Sequence, residues 1–345
     1  MISRRTFAML FGAAAATAGV AACSGNNSET SSSSSGSGAS DAFPVTIQHV
    51  YGETVIEKKP ERIATVNWAN QEVPLALGVV PVGMQKVTWG DEDGDGILPW
   101  VQDKLAELGG EPPVLFDETD GIPFEAVSDT NPDVILASYS GITQADYDTL
   151  TKIAPTIAYP GVPWGTTMND MIRLNSQAMG LASEGDALIT KLKGDVTAAA
   201  DKYPQLKGKK VMFTALMNAD DDLSKFGFYT TKDSRASFLL EAGMAAPKVV
   251  EEESAKTNEF WYELSSENPE LFDDVDILLA YGPADPAPML ASLKAHPLLS
   301  RIPAIAEDRV VFVGQGYLGV VANPSPLSIG WGIDQYFAKL AEGIK

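Results

Sequence analysis

The chain has one cysteine and two histidines among 345 residues. A single thiol excludes an intrachain disulfide and any metal site built on several thiolates. Two histidines exclude a zinc centre built on several imidazoles. His49 lies in an opening hairpin and His296 precedes Pro297, so each reads as a surface or turn residue rather than a general base. No Gly-x-Ser-x-Gly occurs, so the nucleophile elbow of many hydrolases is missing too. Basic charge is scarce: 25 Lys+Arg face 46 Asp+Glu, a formal charge of −21. Nucleic-acid recognition needs a basic face, so no nucleic-acid partner is expected.

What is present begins with export. Arg4 and Arg5 precede the apolar run Phe7–Ala22, which is too short for a comfortable membrane span and ends in small residues. Residues 1–22 therefore read as a signal peptide. Ser3-Arg4-Arg5-Thr6-Phe7 resembles the twin-arginine motif; the alternative is the charged start of a general secretion signal. Cys23 stands between Val20-Ala21-Ala22 and Ser24-Gly25. That resembles a bacterial lipobox, whose cysteine carries acyl chains such as palmitate. Residues 23–42, mostly Ser, Gly and Asn, cannot bury apolar area and read as a flexible linker. The expected location is extracytoplasmic, anchored by lipid alone to the outer face of the cytoplasmic membrane.

The 45 % hydrophobic content suffices for two cores. In Ser183–Tyr203, Leu188, Leu192, Val196 and Ala199 recur at helical spacing. Ser183 with Asp186 resembles a capping box, and Pro204 ends the run. A rod of about 30 Å is predicted. Short apolar runs alternate with helical segments on both sides of it. The predicted class is α/β: two Rossmann-like lobes, at residues 43–165 and 205–345, joined through a helical segment at 166–204. Parallel sheets put ligands at the carboxyl ends of their strands, so the cleft is expected between the lobes.

Aromatics stand at those ends. Trp68, Trp89, Tyr139 and Trp164 each follow an element of the first block, and together they predict a ligand wall. Asp91-Glu92-Asp93-Gly94-Asp95-Gly96 matches the start of a calcium loop, but position 12 is Gln102 rather than glutamate. The plainer reading is an acidic loop presenting Trp89. Gly314-Gln315-Gly316-Tyr317-Leu318-Gly319 spells a dinucleotide fingerprint, yet Asn323-Pro324-Ser325-Pro326 and a terminal helix follow in place of a helix and strand. The glycines are expected to form a loop that points Tyr317 outward.

Lys59-Pro60-Glu61-Arg62-Ile63, Leu77-Gly78 with Pro81-Val82-Gly83, Asn131-Pro132-Asp133-Val134-Ile135 and Ile153-Ala154-Pro155-Thr156 occur in order. In that order, behind a lipobox, they resemble the periplasmic-binding family of iron-siderophore ABC importers, over residues 45 to 343. Trp89-Gly90, Leu98-Pro99-Trp100 and Asp120–Glu125 are similar to its Gram-positive lipoprotein branch. The resemblance implies two lobes on one long helix with little hinge motion, and a receptor rather than an enzyme. It implies a ferric siderophore as ligand, an ABC permease as partner, a monomer, and no cofactor or metal of the protein's own. Alternatives within the family are cobalamin and haem; outside it, an exported hydrolase. The first-lobe wall should face Phe228, Tyr229, Arg235, Tyr281 and Tyr317. Glu125 and Glu267 match the family's permease-docking glutamates. Beyond the signal, the arginines are Arg62, Arg173, Arg235, Arg301 and Arg309, and only Arg235 follows a strand's carboxyl end. One arginine among aromatics suits a neutral hydroxamate complex better than a tris-catecholate with about three negative charges.

Overall fold

The computed structural model describes residues 42–218 and 221–344. The signal peptide, Arg4, Arg5, Cys23 and the linker up to residue 41 lie outside the described residues. The chain opens with a hairpin, β1 (Val45–His49) against β2 (Gly52–Ile56), closed at His49↔Gly52. Gly52 turns it with φ +114°, a region glycine adopts without a Cβ clash.

The first lobe is a parallel sheet of β3 (Ile63–Thr65), β4 (Gly83–Gln85), β5 (Val114–Phe116), β6 (Val134–Leu136) and β7 (Thr156–Ile157). The order is β5-β4-β3-β6-β7, so the sheet reverses direction of growth at β3 and β6. Trp68 and Tyr139 follow those two strands, at the switch point where open α/β sheets bind ligands. The second lobe has a parallel sheet ordered β12-β11-β8, from β8 (Val211–Thr214), β11 (Ile277–Ala280) and β12 (Val310–Phe312). Between β8 and β11 the chain inserts an antiparallel ribbon, β9 (Lys225–Tyr229) with β10 (Trp261–Ser265). Ile277, Leu278, Leu279 and Ala280 are all buried, as expected of a strand covered on both faces.

The lobes are joined through helix Met168–Ala178 and then helix Ala182–Ala200, whose 19 residues span roughly 28 Å. The second buries Gly185, Ile189, Leu192, Val196 and Ala199. The stripe is thus displaced from the predicted one: Ile189 replaces Leu188, which is only partly buried. The capping box does not form. The helix begins before Ser183, its N-cap is Leu181 without a side-chain hydrogen bond, and Asp186 pairs with Arg173. Gly185 lets the two helices meet, since a Cβ there would lie 2.0 Å from Ser176 Oγ. Helix Ser328–Ala341 closes the chain against the same rod, with Lys202 and Asp334 paired at 2.6 Å.

Candidate functional site

A buried polar knot sets the first-lobe wall. Asn67 takes a left-handed backbone, φ 60°, which Asn tolerates better than most residues. Its N–H and Nδ2 donate to Glu118 at 3.0 and 2.7 Å, and its Oδ1 accepts the Gly141 N–H. Burial pushes the Glu118 carboxyl up, while the Asn67 donors pull it down. Asn70, fully buried, donates to the Val66 and Tyr139 carbonyls at 2.9 Å and accepts from Ser138 and the Tyr139 N–H. The segments carrying Trp68 and Tyr139 are thereby locked to each other. Trp164, also left-handed at φ 59°, donates its backbone N–H to the Ser140 carbonyl at 2.9 Å.

Trp164 can lie there only because residue 141 is glycine; a Cβ would sit 2.3 Å from its Nε1. Gly141→Ala is therefore expected to push the indole off the wall. Overpacking of this kind costs about 1–3 kcal/mol. We expect a ligand-affinity loss of about tenfold, from one displaced aromatic contact. Calorimetry on the purified variant measures both, and an unchanged affinity would remove Trp164 from the wall.

The second lobe contributes Arg235 and Tyr281. Asp233 caps helix Ser234–Glu241 by accepting the Arg235 N–H at 2.8 Å. It also accepts from the Arg235 side chain at Nε and Nη2, both at 2.8 Å. Arg235 Nη1 donates to the Tyr281 hydroxyl at 3.2 Å, and the guanidinium lies 4.0 Å over the Tyr229 ring. Burial and the Arg235 charge act in opposite directions on the Tyr229 and Tyr281 hydroxyls, and burial prevails, holding both above the usual phenol range. Tyr139 crosses between lobes: its hydroxyl meets Ser234 Oγ at 3.1 Å and accepts from Asn323 Nδ2 at 3.1 Å.

These groups surround a cleft of about 400 Å³, lined by Trp68, Gln85, Trp89, Tyr139, Trp164, Met217, Arg235, Phe260, Tyr281 and Asn323. Trp89 meets Tyr281 edge-to-face across the lobes, with ring centroids 5.2 Å apart. A second hollow, about 340 Å³ beside the connecting helix, takes in none of the sequence-predicted site residues.

Three expected wall residues are elsewhere. Phe228 is fully buried in the second lobe's own core, beside Tyr262. Tyr229 is 7 % exposed and packs beneath Arg235 against Phe213 and Trp261. Both belong to the antiparallel ribbon, so the rule for parallel strand ends does not reach them. Tyr317 begins a short helix, Tyr317–Val321, that does follow the glycines, and it packs with Trp100 and Trp331. Gln85, Met217, Phe260, Asn323 and Asp233 were missed. Only Asp233 had a local signal, Asp-Ser ahead of a helical pattern. Neither histidine lines the cleft. His49 is buried against Thr54 and Tyr147, where burial pushes its imidazole down, and His296 Nδ1 accepts two backbone N–H groups.

Asp91, Asp93 and Asp95 bring carboxylate oxygens within 4.8 Å of one another. Asp91 accepts from the Gly94 and Gly96 N–H groups, and Asp95 from Ile97 N and Gln102. Glu92 reaches the other lobe, accepting the Tyr317 N–H at 2.8 Å. A further inter-lobe contact is Glu72, 1 % exposed, which accepts from Trp100 Nε1 at 2.8 Å and the Leu327 N–H at 2.9 Å. Burial raises its carboxyl, and the donors oppose that without cancelling it. A raised carboxyl favours the folded state while protonated. The contribution is present below the unfolded carboxylate range, about 4.3, and is lost as pH rises through the folded value. The stability of the wild type relative to Glu72→Gln should therefore fall as pH rises from about 4. Urea titrations across pH measure this, and a flat or rising difference contradicts it.

Glu125 and Glu267 are both exposed, without an ion-pair partner among the described residues. Glu125 opens the helix Phe124–Asp129 that leads into β6. Glu267 lies between β10 and the turn Pro269–Phe272 that leads into β11. It follows the end of β10 paired with Lys225, opposite the Tyr229 end.

A family model described as periplasmic binding protein matches residues 63–317. The structure is similar to that of Streptococcus pneumoniae TIGR4 PiaA in complex with ferrichrome, with a TM-score of 0.81 and 42 % identity over 87 % of this chain and 98 % of that one. Among curated sequences, "Probable siderophore-binding lipoprotein YfiY" of Bacillus subtilis is 26 % identical over 68 % of each chain. The Fe(3+) dicitrate-binding periplasmic protein FecB of Escherichia coli is 26 % identical over 60 % of this chain and 64 % of its own. By sequence match and by fold, this chain belongs to the periplasmic binding protein family.

Proposed function

We propose that this chain captures a ferric siderophore of the hydroxamate type outside the cell and delivers it to an ABC importer. The observation that carries the reading is the lining of the cleft: aromatic rings and, among the described residues, a single charged one, Arg235. Aromatic faces suit the organic envelope of a chelate, and guanidinium N–H groups suit its hydroxamate oxygens. The likeness to PiaA, whose structure holds ferrichrome, supports the same ligand class. Among the described residues no other arginine lines the cleft: Arg62 donates to the Thr130 and Asn131 carbonyls, Arg309 to those of Val275 and Asp276, and Arg173 pairs with Asp170 and Asp186. A tris-catecholate would therefore meet one cation where its charge calls for several.

No catalytic role is assigned, since the family is one of binding proteins. Cys23 as the lipidation point, export ahead of it, and Glu125 and Glu267 as permease contacts complete the reading. YfiY, a lipoprotein by name, supports the anchor. Tryptophan fluorescence should be titrated in parallel with ferrichrome, ferrioxamine, ferric enterobactin, cobalamin and haem. Quenching should be strongest and tightest with the hydroxamates. Tighter binding of ferric enterobactin, cobalamin or haem would overturn the assignment.

A further inference from the structure

The cation in the cleft is not a free charge. Asp233 lies behind Arg235 with no exposed surface, and its two oxygens take Nε and Nη2 in a paired fork. A guanidinium has five N–H donors. Asp233 takes two and the Tyr281 hydroxyl one, which leaves one each on Nη1 and Nη2 of a side chain that lines the cleft. The Asp233–Arg235 pair thus offers donors to the cleft while carrying no net charge. Capping helix Ser234–Glu241 does not require this, because serine or asparagine caps as well as aspartate.

We infer that Asp233 sets the charge selectivity of the cleft, cancelling the Arg235 charge so that neutral ferric complexes are accepted and anionic ones disfavoured. This deepens the function proposed above and rests on it. Fe(III) held by three hydroxamate monoanions has no net charge. Replacing one hydroxamate with a citrate hydroxyl-carboxylate arm makes the complex anionic at the metal itself. Removing the unit negative charge that backs the guanidinium should favour the anion by about tenfold or more at partly buried dielectric. The neutral complex should respond far less.

The test compares a ferric trihydroxamate with a ferric dihydroxamate-citrate complex, on the wild type and on Asp233→Asn, Asp233→Ser and Asp233→Glu. Tryptophan quenching gives affinities and thermal melts confirm folding. In either neutral variant that folds, the anionic-to-neutral affinity ratio should rise about tenfold or more. Asp233→Glu should keep the wild-type ratio. If both affinities fall together and the ratio stays put, Asp233 is only a cap and the inference is overturned. If the wild type binds neither complex, the proposed function fails first and this assignment falls with it.

Discussion

Arg235→Ala should lose stability and ligand affinity together. Asp233 has no exposed surface, so without the guanidinium its carboxylate is a buried charge with no counter-ion. Breaking a buried pair from one side costs about 3–5 kcal/mol. The Tyr229 ring also loses the cation above it, worth about 1 kcal/mol. In the cleft, two charge-assisted donors disappear, and affinity for a ferric trihydroxamate should fall about a hundredfold. Adding Asp233→Asn to Arg235→Ala should recover much of the stability and none of the affinity. Urea unfolding and fluorescence titration separate the two effects. A single variant as stable as the wild type would mean that water reaches Asp233 and that the pair is not buried.

Glu125→Ala with Glu267→Ala should reduce importer-dependent uptake at least tenfold and leave affinity in solution unchanged. Both carboxylates are exposed and unpaired among the described residues, so their removal costs the fold little. A lone exposed ion pair contributes about 0–1 kcal/mol. Two contacts on separate lobes can still fix orientation, because complementary charge governs register and on-rate more than raw affinity. The single variants carry separate information. Glu267 sits at the far end of β10, so normal uptake by Glu267→Ala beside failed uptake by Glu125→Ala would place the second contact elsewhere on lobe two. Normal uptake by the double variant, or a loss of ligand affinity, would end the docking assignment.

Strand-helix alternation was readable because buried parallel strands are continuous apolar runs, as at Ile277–Ala280. Trp68, Trp89, Tyr139 and Trp164 were readable as cleft residues because each stands in a loop after a strand, where a parallel sheet presents side chains to a ligand. Tyr229 misled for the opposite reason. It ends β9, but β9 pairs antiparallel with β10, and pairing does not show in local periodicity. Its neighbour Phe228 faces the other side of the same strand, into a separate core. Tyr317 found its partners in Trp100 and Trp331, more than two hundred residues apart in the chain, a proximity that only the fold creates. Gln85, Met217, Phe260 and Asn323 reach the cleft the same way, from four separate segments.

The most direct measurement is a crystal of the protein grown with a neutral ferric trihydroxamate, with diffraction recorded at the iron absorption edge. The anomalous map should show one strong peak in the cleft, bounded by Trp68, Trp89 and Trp164 on one side and Arg235 on the other. Hydroxamate oxygens should lie within hydrogen-bond distance of Arg235 Nη1 or Nη2. An iron peak over Asp91, Asp93 and Asp95, or a cleft without iron at saturating ligand, would contradict the account.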